Sequence, residues 1–126
     1  MTIPRPTDAE LTILRTLWTE GPSTVRRVHE ILTLEKDLGY TSVLKTLQVM
    51  TEKGLVVRDV SSRSHIYSPA QTEDQTQRKL VDYLLSRAFG GSAMKLVMQA
   101  LSASPASQEE LDQIRTLLER FREDTQ

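Results

Sequence analysis

Gly39-Tyr40-Thr41-Ser42-Val43-Leu44-Lys45-Thr46-Leu47-Gln48-Val49-Met50-Thr51-Glu52-Lys53-Gly54, running straight on into Leu55-Val56-Val57-Arg58, is the stretch around which the chain is organised. Its spacing predicts a helix. Val43, Leu47 and Met50 then stack on one face with Leu44 beside them, while Thr41, Lys45, Gln48 and Glu52 point the opposite way. Gly54 supplies the stop just past the last turn. One face is therefore core, and the other, carrying hydroxyls, an amide and a lysine, is free to touch something. Taken alone, an ordinary solvated helix has the same pattern, so its neighbours have to decide.

Working outward on the N-terminal side, Thr7-Asp8-Ala9-Glu10 has the form of a capping box at a helix start. Leu11, Leu14, Leu17 and Trp18 follow at helical spacing, and Gly21-Pro22 ends that element. Trp18 reads as a packing anchor. Ser23-Thr24 can cap a second helix whose buried stripe is Val25, Val28, Ile31 and Leu32, with Arg26, Arg27, His29 and Glu30 largely outward. A short polar turn, Leu34 to Gly39, joins it to the central helix, which is the helix-turn-helix arrangement.

On the C-terminal side, Leu55 to Val60 is rich in β-branched residues and reads as a strand. His65-Ile66-Tyr67-Ser68 reads as its partner, with Ser61-Ser62-Arg63-Ser64 as the turn between them. Three helices and then a hairpin is the order of a winged helix. In that setting the free face of the central helix has the composition of one that enters a DNA major groove. Thr41, Ser42, Lys45 and Gln48 are the groove candidates, with Thr46 and Val49 at the margins. Arg26, Arg27 and Lys53 are candidates for phosphate, and Arg63 at the wing tip for phosphate or the minor groove.

Past Pro69 the pattern is helical throughout. Thr72-Glu73-Asp74-Gln75 is a second capping box, followed by Leu80, Val81, Leu84, Leu85 and Ala88 up to Gly90-Gly91. A further apolar helix holds Met94, Val97, Met98 and Leu101. After a loop of small residues, Ser107-Gln108-Glu109-Glu110 is a third capping box, and Leu111, Ile114, Leu117, Leu118 and Phe121 form a stripe along the last helix. These helices carry more apolar face than they can hide by folding on one another, which marks an interface. A homodimer built through Leu80, Leu84, Val97, Leu101, Leu111, Ile114, Leu118 and Phe121 is the simplest resolution; packing back on the winged helix in a monomer is the alternative. The expected organisation is mostly α with a small β-hairpin: a winged helix-turn-helix domain over 1–70 and a helical dimerisation region over 71–126.

Composition constrains the chemistry more than the fold. At 126 residues the chain is one domain, or a small domain with an appendage, and its formal net charge is −1. Residues 1–70 hold nine Lys and Arg against eight Asp and Glu, and residues 71–126 hold seven against nine, so overall charge lends DNA binding no support. The absence of cysteine excludes disulfides and thiolate chemistry. The start, Met1 to Pro6, has no apolar signal core and no run of apolar residues is long enough to cross a membrane, so a cytoplasmic protein is expected. His29 and His65 have no partners at a metal-ligand spacing. With no phosphate loop, nucleophile elbow or serine beside a base, neither an enzyme nor a cofactor, metal or small-molecule substrate is expected.

The same residues resemble a known family. Thr7-Asp8-Ala9-Glu10-Leu11 with Trp18, Tyr40 to Leu47, Lys53-Gly54-Leu55-Val56, Ile66-Tyr67-Ser68-Pro69 and Phe89-Gly90-Gly91 are together similar to the BlaI/MecI/CopY family of penicillinase-repressor-type regulators, over nearly the whole chain. The resemblance implies a transcriptional repressor whose N-terminal winged helix reads a dyad DNA operator and whose C-terminal helices dimerise. In the resistance branch it further implies a membrane-bound sensor protease as partner, with release by a cut in the dimerisation region. Three departures stand out. Gln99-Ala100 occupies the place of the cleaved Asn-Phe pair, the C-terminal cysteines of copper-responsive relatives are missing, and Val49 stands where many relatives have arginine. A winged helix used purely as a protein-interaction module is the rival reading, favoured by the near-neutral charge.

Overall fold

The computed structural model describes residues 5–125. Met1 to Pro4, part of the start read as lacking a signal core, lie outside the described residues, as does Gln126. The elements run α1 (Asp8–Glu20), α2 (Val25–Leu32), α3 (Tyr40–Lys53), β1 (Val56–Asp59), β2 (Ile66–Pro69), α4 (Glu73–Arg87), α5 (Ala93–Ala103) and α6 (Gln108–Asp124). Among the described residues this is six helices and one hairpin, a mostly α fold of winged helix-turn-helix type.

Local chemistry accounts for the element ends. At α1 the capping box is complete, with the Glu10 N–H donating to Thr7 Oγ1 at 3.2 Å and the Thr7 N–H donating to Glu10 Oε1 at 2.8 Å. Thr24 caps α2 by accepting from the Arg27 N–H at 3.1 Å. The exit of α3 depends on Gly54, whose φ of 80° is a left-handed conformation that a side chain makes costly. It lets the Leu55 N–H reach back to the Met50 carbonyl at 2.9 Å, and β1 begins at the next residue. The second capping box is also complete, through Thr72 and Gln75.

The chain divides into two compact units, one up to Val81 and one from Asp82 onward, so the division falls inside α4. The first half of α4 goes with the winged helix because Thr76 is buried and the indole N–H of Trp18 donates to the Gln71 carbonyl at 3.1 Å, tying down the segment after β2.

In the first unit a single core joins Ile13, Leu14 and Leu17 of α1, Val25, Val28 and Leu32 of α2, Val43, Leu47 and Met50 of α3, and Leu55, Val56 and Tyr67 of the wing. Two expected stripes shift slightly. Leu11 and Trp18 are only half-buried and Ile13 takes the deep position, because α1 turns Glu10, Ile13, Leu14 and Leu17 inward; Ile31 likewise sits at the edge. β1 and β2 pair antiparallel, with Val56 opposite Pro69 and Asp59 opposite Ile66. Ser23 adds a one-residue third strand: its N–H donates to the Tyr67 carbonyl at 3.0 Å, and the Tyr67 N–H donates back at 2.8 Å. The wing is thereby fastened to the loop before α2.

The second unit has a different character. Neither α5 nor α6 contains a buried residue. Leu84, Met94, Val97, Met98, Leu101, Leu111, Leu117, Leu118 and Phe121 are all exposed, while Ile114 is half-buried.

Candidate nucleic-acid interface

Burial sorts the residues of α3 into three faces. Val43, Leu47 and Met50 are at most 3 % exposed, which places the back of the helix in the deepest part of the core. Thr41, Lys45, Gln48, Val49 and Glu52 are exposed on the opposite side, as their spacing predicts. Ser42 and Thr46 lie on the flank that faces α1. They line a groove of about 200 Å³ with Ala9, Thr12 and Ile13, and the half-buried Thr46 hydroxyl donates to the Ser42 carbonyl at 2.8 Å. The structure thus brings Thr41, Lys45, Gln48 and Val49 onto one free surface and sets Ser42 and Thr46 beside it.

The N-terminus of α3 is open. Its cap residue is Gly39, which provides no side-chain oxygen, and the first intrahelical bond runs from the Val43 N–H to the Gly39 carbonyl at 3.2 Å. The N–H groups of Tyr40, Thr41 and Ser42 therefore lack a side-chain cap, and the positive end of the helix dipole is directed outward with them. The turn leading to this end is held by His29. A carbonyl can only accept, so the His29 Nε2–H donates to the Leu38 carbonyl at 2.7 Å, and the Tyr40 ring meets the imidazole edge-on at 5.8 Å.

The cation candidates fall into two groups. Arg26 lies 3.4 Å from Glu30, and Arg27 lies 3.4 Å from Glu20 and 3.9 Å from Glu30; these pairs are exposed and weak, so both guanidiniums can exchange a carboxylate for a phosphate. Arg63 is exposed at the wing tip, where the Ser61 N–H donates to Asp59 Oδ1 at 2.9 Å and the Ser62 hydroxyl to the Ser64 carbonyl at 2.7 Å. The Ser61 hydroxyl and N–H hold the Asp59 carboxyl below its usual range. Arg58 is a further exposed cation on the wing; β1 shows no alternation of faces, with Val56 buried and Val57, Arg58 and Asp59 all exposed, so strand spacing gave no signal for it.

Lys53 is placed differently from the other cations. Its ammonium donates to both carboxylate oxygens of Glu10, at 3.1 and 2.9 Å, across 43 residues of sequence. Glu10 is only 2 % exposed. Burial alone raises its pKa, but the Thr7 N–H and then the hydrogen bond and charge of Lys53 outweigh that effect and hold the carboxyl below the ordinary range. Among the described residues no group of His, Asp and Glu is arranged to hold a metal ion, and no helix is long and apolar enough to cross a membrane.

Three helices and a wing on one core, the third helix backed by that core and open on its other side, define a winged helix-turn-helix regulator. Comparison with known proteins narrows the class. The model of the penicillinase repressor family matches residues 6–120. Over 113 residues the chain is 34 % identical to the transcriptional regulator BlaI of Mycobacterium tuberculosis, in two strains, covering 88 % of this chain and 80 % of the relative. Two mutant structures of Lactococcus lactis ZitR align at 18 and 17 % identity, with TM-scores of 0.40 and 0.41, over 96 and 98 % of this chain and 80 and 81 % of theirs. The chain belongs to the penicillinase repressor (BlaI/MecI/CopY) family, and its general role follows from that membership: it is a DNA-binding transcriptional repressor.

Proposed function

We propose that the protein represses as a homodimer, each protomer laying α3 into one major groove of a pseudo-palindromic operator. The observation that carries this reading is the free surface of α3, where Thr41, Lys45, Gln48 and Val49 stand exposed beside an uncapped N-terminus while Val43, Leu47 and Met50 hold the helix from behind. Lys45 and Gln48 suit base edges, and Val49 suits a thymine methyl. The first-turn N–H groups suit a phosphate, and Ser42 and Thr46 suit the groove margin. Arg26, Arg27 and Arg63 contribute phosphate or minor-groove contacts. With a net charge of −1, affinity rests on the local placement of these cations and on their presence twice in the dimer.

The dimer is built from α4, α5 and α6. A unit in which α5 and α6 bury nothing needs a second surface, and Leu84, Val97, Leu101, Leu111, Leu118 and Phe121 supply apolar area together with the half-buried Ile114; Leu80, half-buried on the part of α4 that belongs to the first unit, is a further candidate. Release by a sensor protease would act at Gln99 and Ala100, exposed on α5 between Val97 and Leu101. Opening of a helix that has no buried residue costs little, and a cut there separates two dimer-forming residues.

The test is binding of the purified protein to its own upstream promoter fragment and to a shuffled fragment, with stoichiometry. Shuffle-sensitive binding of two protomers per site is the expected result. Equal weak binding to both fragments overturns the proposal and favours the protein-interaction reading.

A further inference from the structure

We propose that Glu10 and Lys53 form a pin that sets the tilt of α3 on the core and the angle at which the wing leaves it, so that Lys53 is a positioning residue for operator recognition and makes no DNA contact itself. The inference rests on the repressor reading above. Three hydrogen bonds converge on one carboxylate: Thr7 N–H to Oε1 at 2.8 Å, and Lys53 Nζ to Oε1 at 3.1 Å and to Oε2 at 2.9 Å. The Glu10 side chain is 3 % exposed and that of Lys53 30 %. If the ammonium left for a phosphate, the carboxylate would stay behind, buried and without its counter-charge, which is far more costly than leaving an exposed arginine pair.

The position of the pin gives it leverage. Lys53 is the last residue of α3, and only Gly54 and Leu55 separate it from β1, so the same contact fixes the root of the wing. At the other end the Gly39 cap makes no side-chain bond. Thr41 lies twelve residues from Lys53, about 18 Å along the axis. A tilt of about 5° at the pinned end therefore moves Thr41 by about 1.6 Å, more than the roughly 0.5 Å tolerance of a recognition contact. Holding the C-terminal end rigid keeps the base-reading end and the wing in register with one another.

The test compares wild type with Glu10→Gln, Lys53→Met, the double variant and Lys53→Arg. Glu10→Gln keeps one oxygen to accept from the Thr7 N–H, but it removes the charge and replaces the other oxygen, which accepts from Lys53, with an amide NH2 that can only donate. Each is titrated against the promoter and shuffled fragments across salt, below its melting transition. Amide hydrogen exchange of α3 is followed in the DNA-free protein. The pin predicts that Glu10→Gln and Lys53→Met each weaken promoter binding by roughly tenfold, that the double variant is no worse than either, and that Lys53→Arg restores most of the loss. The salt slope stays at the wild-type value, and exchange in the last turn of α3 rises in both single variants. A Lys53→Met variant that loses about one unit of salt slope per protomer, while Glu10→Gln binds normally, would make Lys53 a phosphate contact and overturn the pin. Additive losses, or unchanged exchange in both variants, also overturn it. Discrimination by the wild type reports on the repressor reading separately, and the exchange arm decides on the pin without DNA.

Discussion

Replacing Phe121 by Ala tests the proposed dimer, because it separates the stability of one chain from that of an assembly of two. The ring is 60 % exposed in the single chain. Complete burial of such a side chain contributes roughly 1.5–3 kcal/mol, so covering the exposed three-fifths contributes about 1–2 kcal/mol per protomer. A two-fold interface counts this twice, which makes about 2–4 kcal/mol per dimer, or on the order of a hundredfold in the dimer dissociation constant. The chain's own stability changes by no more than about 0.5 kcal/mol, because an exposed side chain is being removed. Leu118→Ala, at 58 % exposed on the same helix, follows the same arithmetic. Sedimentation across a concentration series measures the first quantity, and thermal melting at a concentration where both proteins are monomeric measures the second. If Phe121→Ala and Leu118→Ala dissociate at the wild-type concentration, α6 is not at the interface. A large drop in the monomer's melting temperature would place Phe121 in a core of its own unit.

Further outcomes follow from the winged helix. Leu47, fully buried on the core side of α3, is expected to cost about 2–5 kcal/mol as Leu47→Ala, read by denaturant unfolding; a loss below about 1 kcal/mol would contradict its central place in the core. The Glu10 carboxyl has a folded pKa below its unfolded value, so in the window between them the unfolded chain holds more protons. Its contribution to stability is complete above the ordinary glutamate range and is lost as the pH falls through the folded value. Glu10→Gln should flatten the acid side of the stability profile, and an unchanged acid limb would refute this. Arg63→Ala should weaken promoter and shuffled DNA alike and lower the salt slope by about one per protomer, whereas a change in sequence preference would assign Arg63 to base reading.

What was legible in the sequence was local. The Thr7–Glu10 and Thr72–Gln75 capping boxes, the Gly54 stop and the 3.6-residue spacing of Val43, Leu47 and Met50 each depend on neighbours within one or two turns. Pairings across the chain left no such trace. Nothing local couples Glu10 to Lys53, 43 residues away, and Lys53 by itself looks like any other cation at a helix end. The Ser23–Tyr67 bridge is a backbone pairing, and backbone groups are the same at every residue. The choice of Ile13 over Leu11 for the deep position turns on a rotation of α1 that two equally apolar residues cannot specify. That Ser42 and Thr46 line a groove shared with Ala9, Thr12 and Ile13 of α1 was likewise not legible, because spacing within α3 does not show which element stands beside that flank.

The central claim is that the free face of α3 reads the operator, and the most direct measurement is the ratio of promoter to shuffled-fragment affinity for wild type, Lys45→Ala and Gln48→Ala. Each base contact of this kind carries about 1–3 kcal/mol of discrimination. The account predicts that both variants stay folded and dimeric while the ratio falls by roughly tenfold or more. Variants that keep the full wild-type affinity and ratio would contradict it.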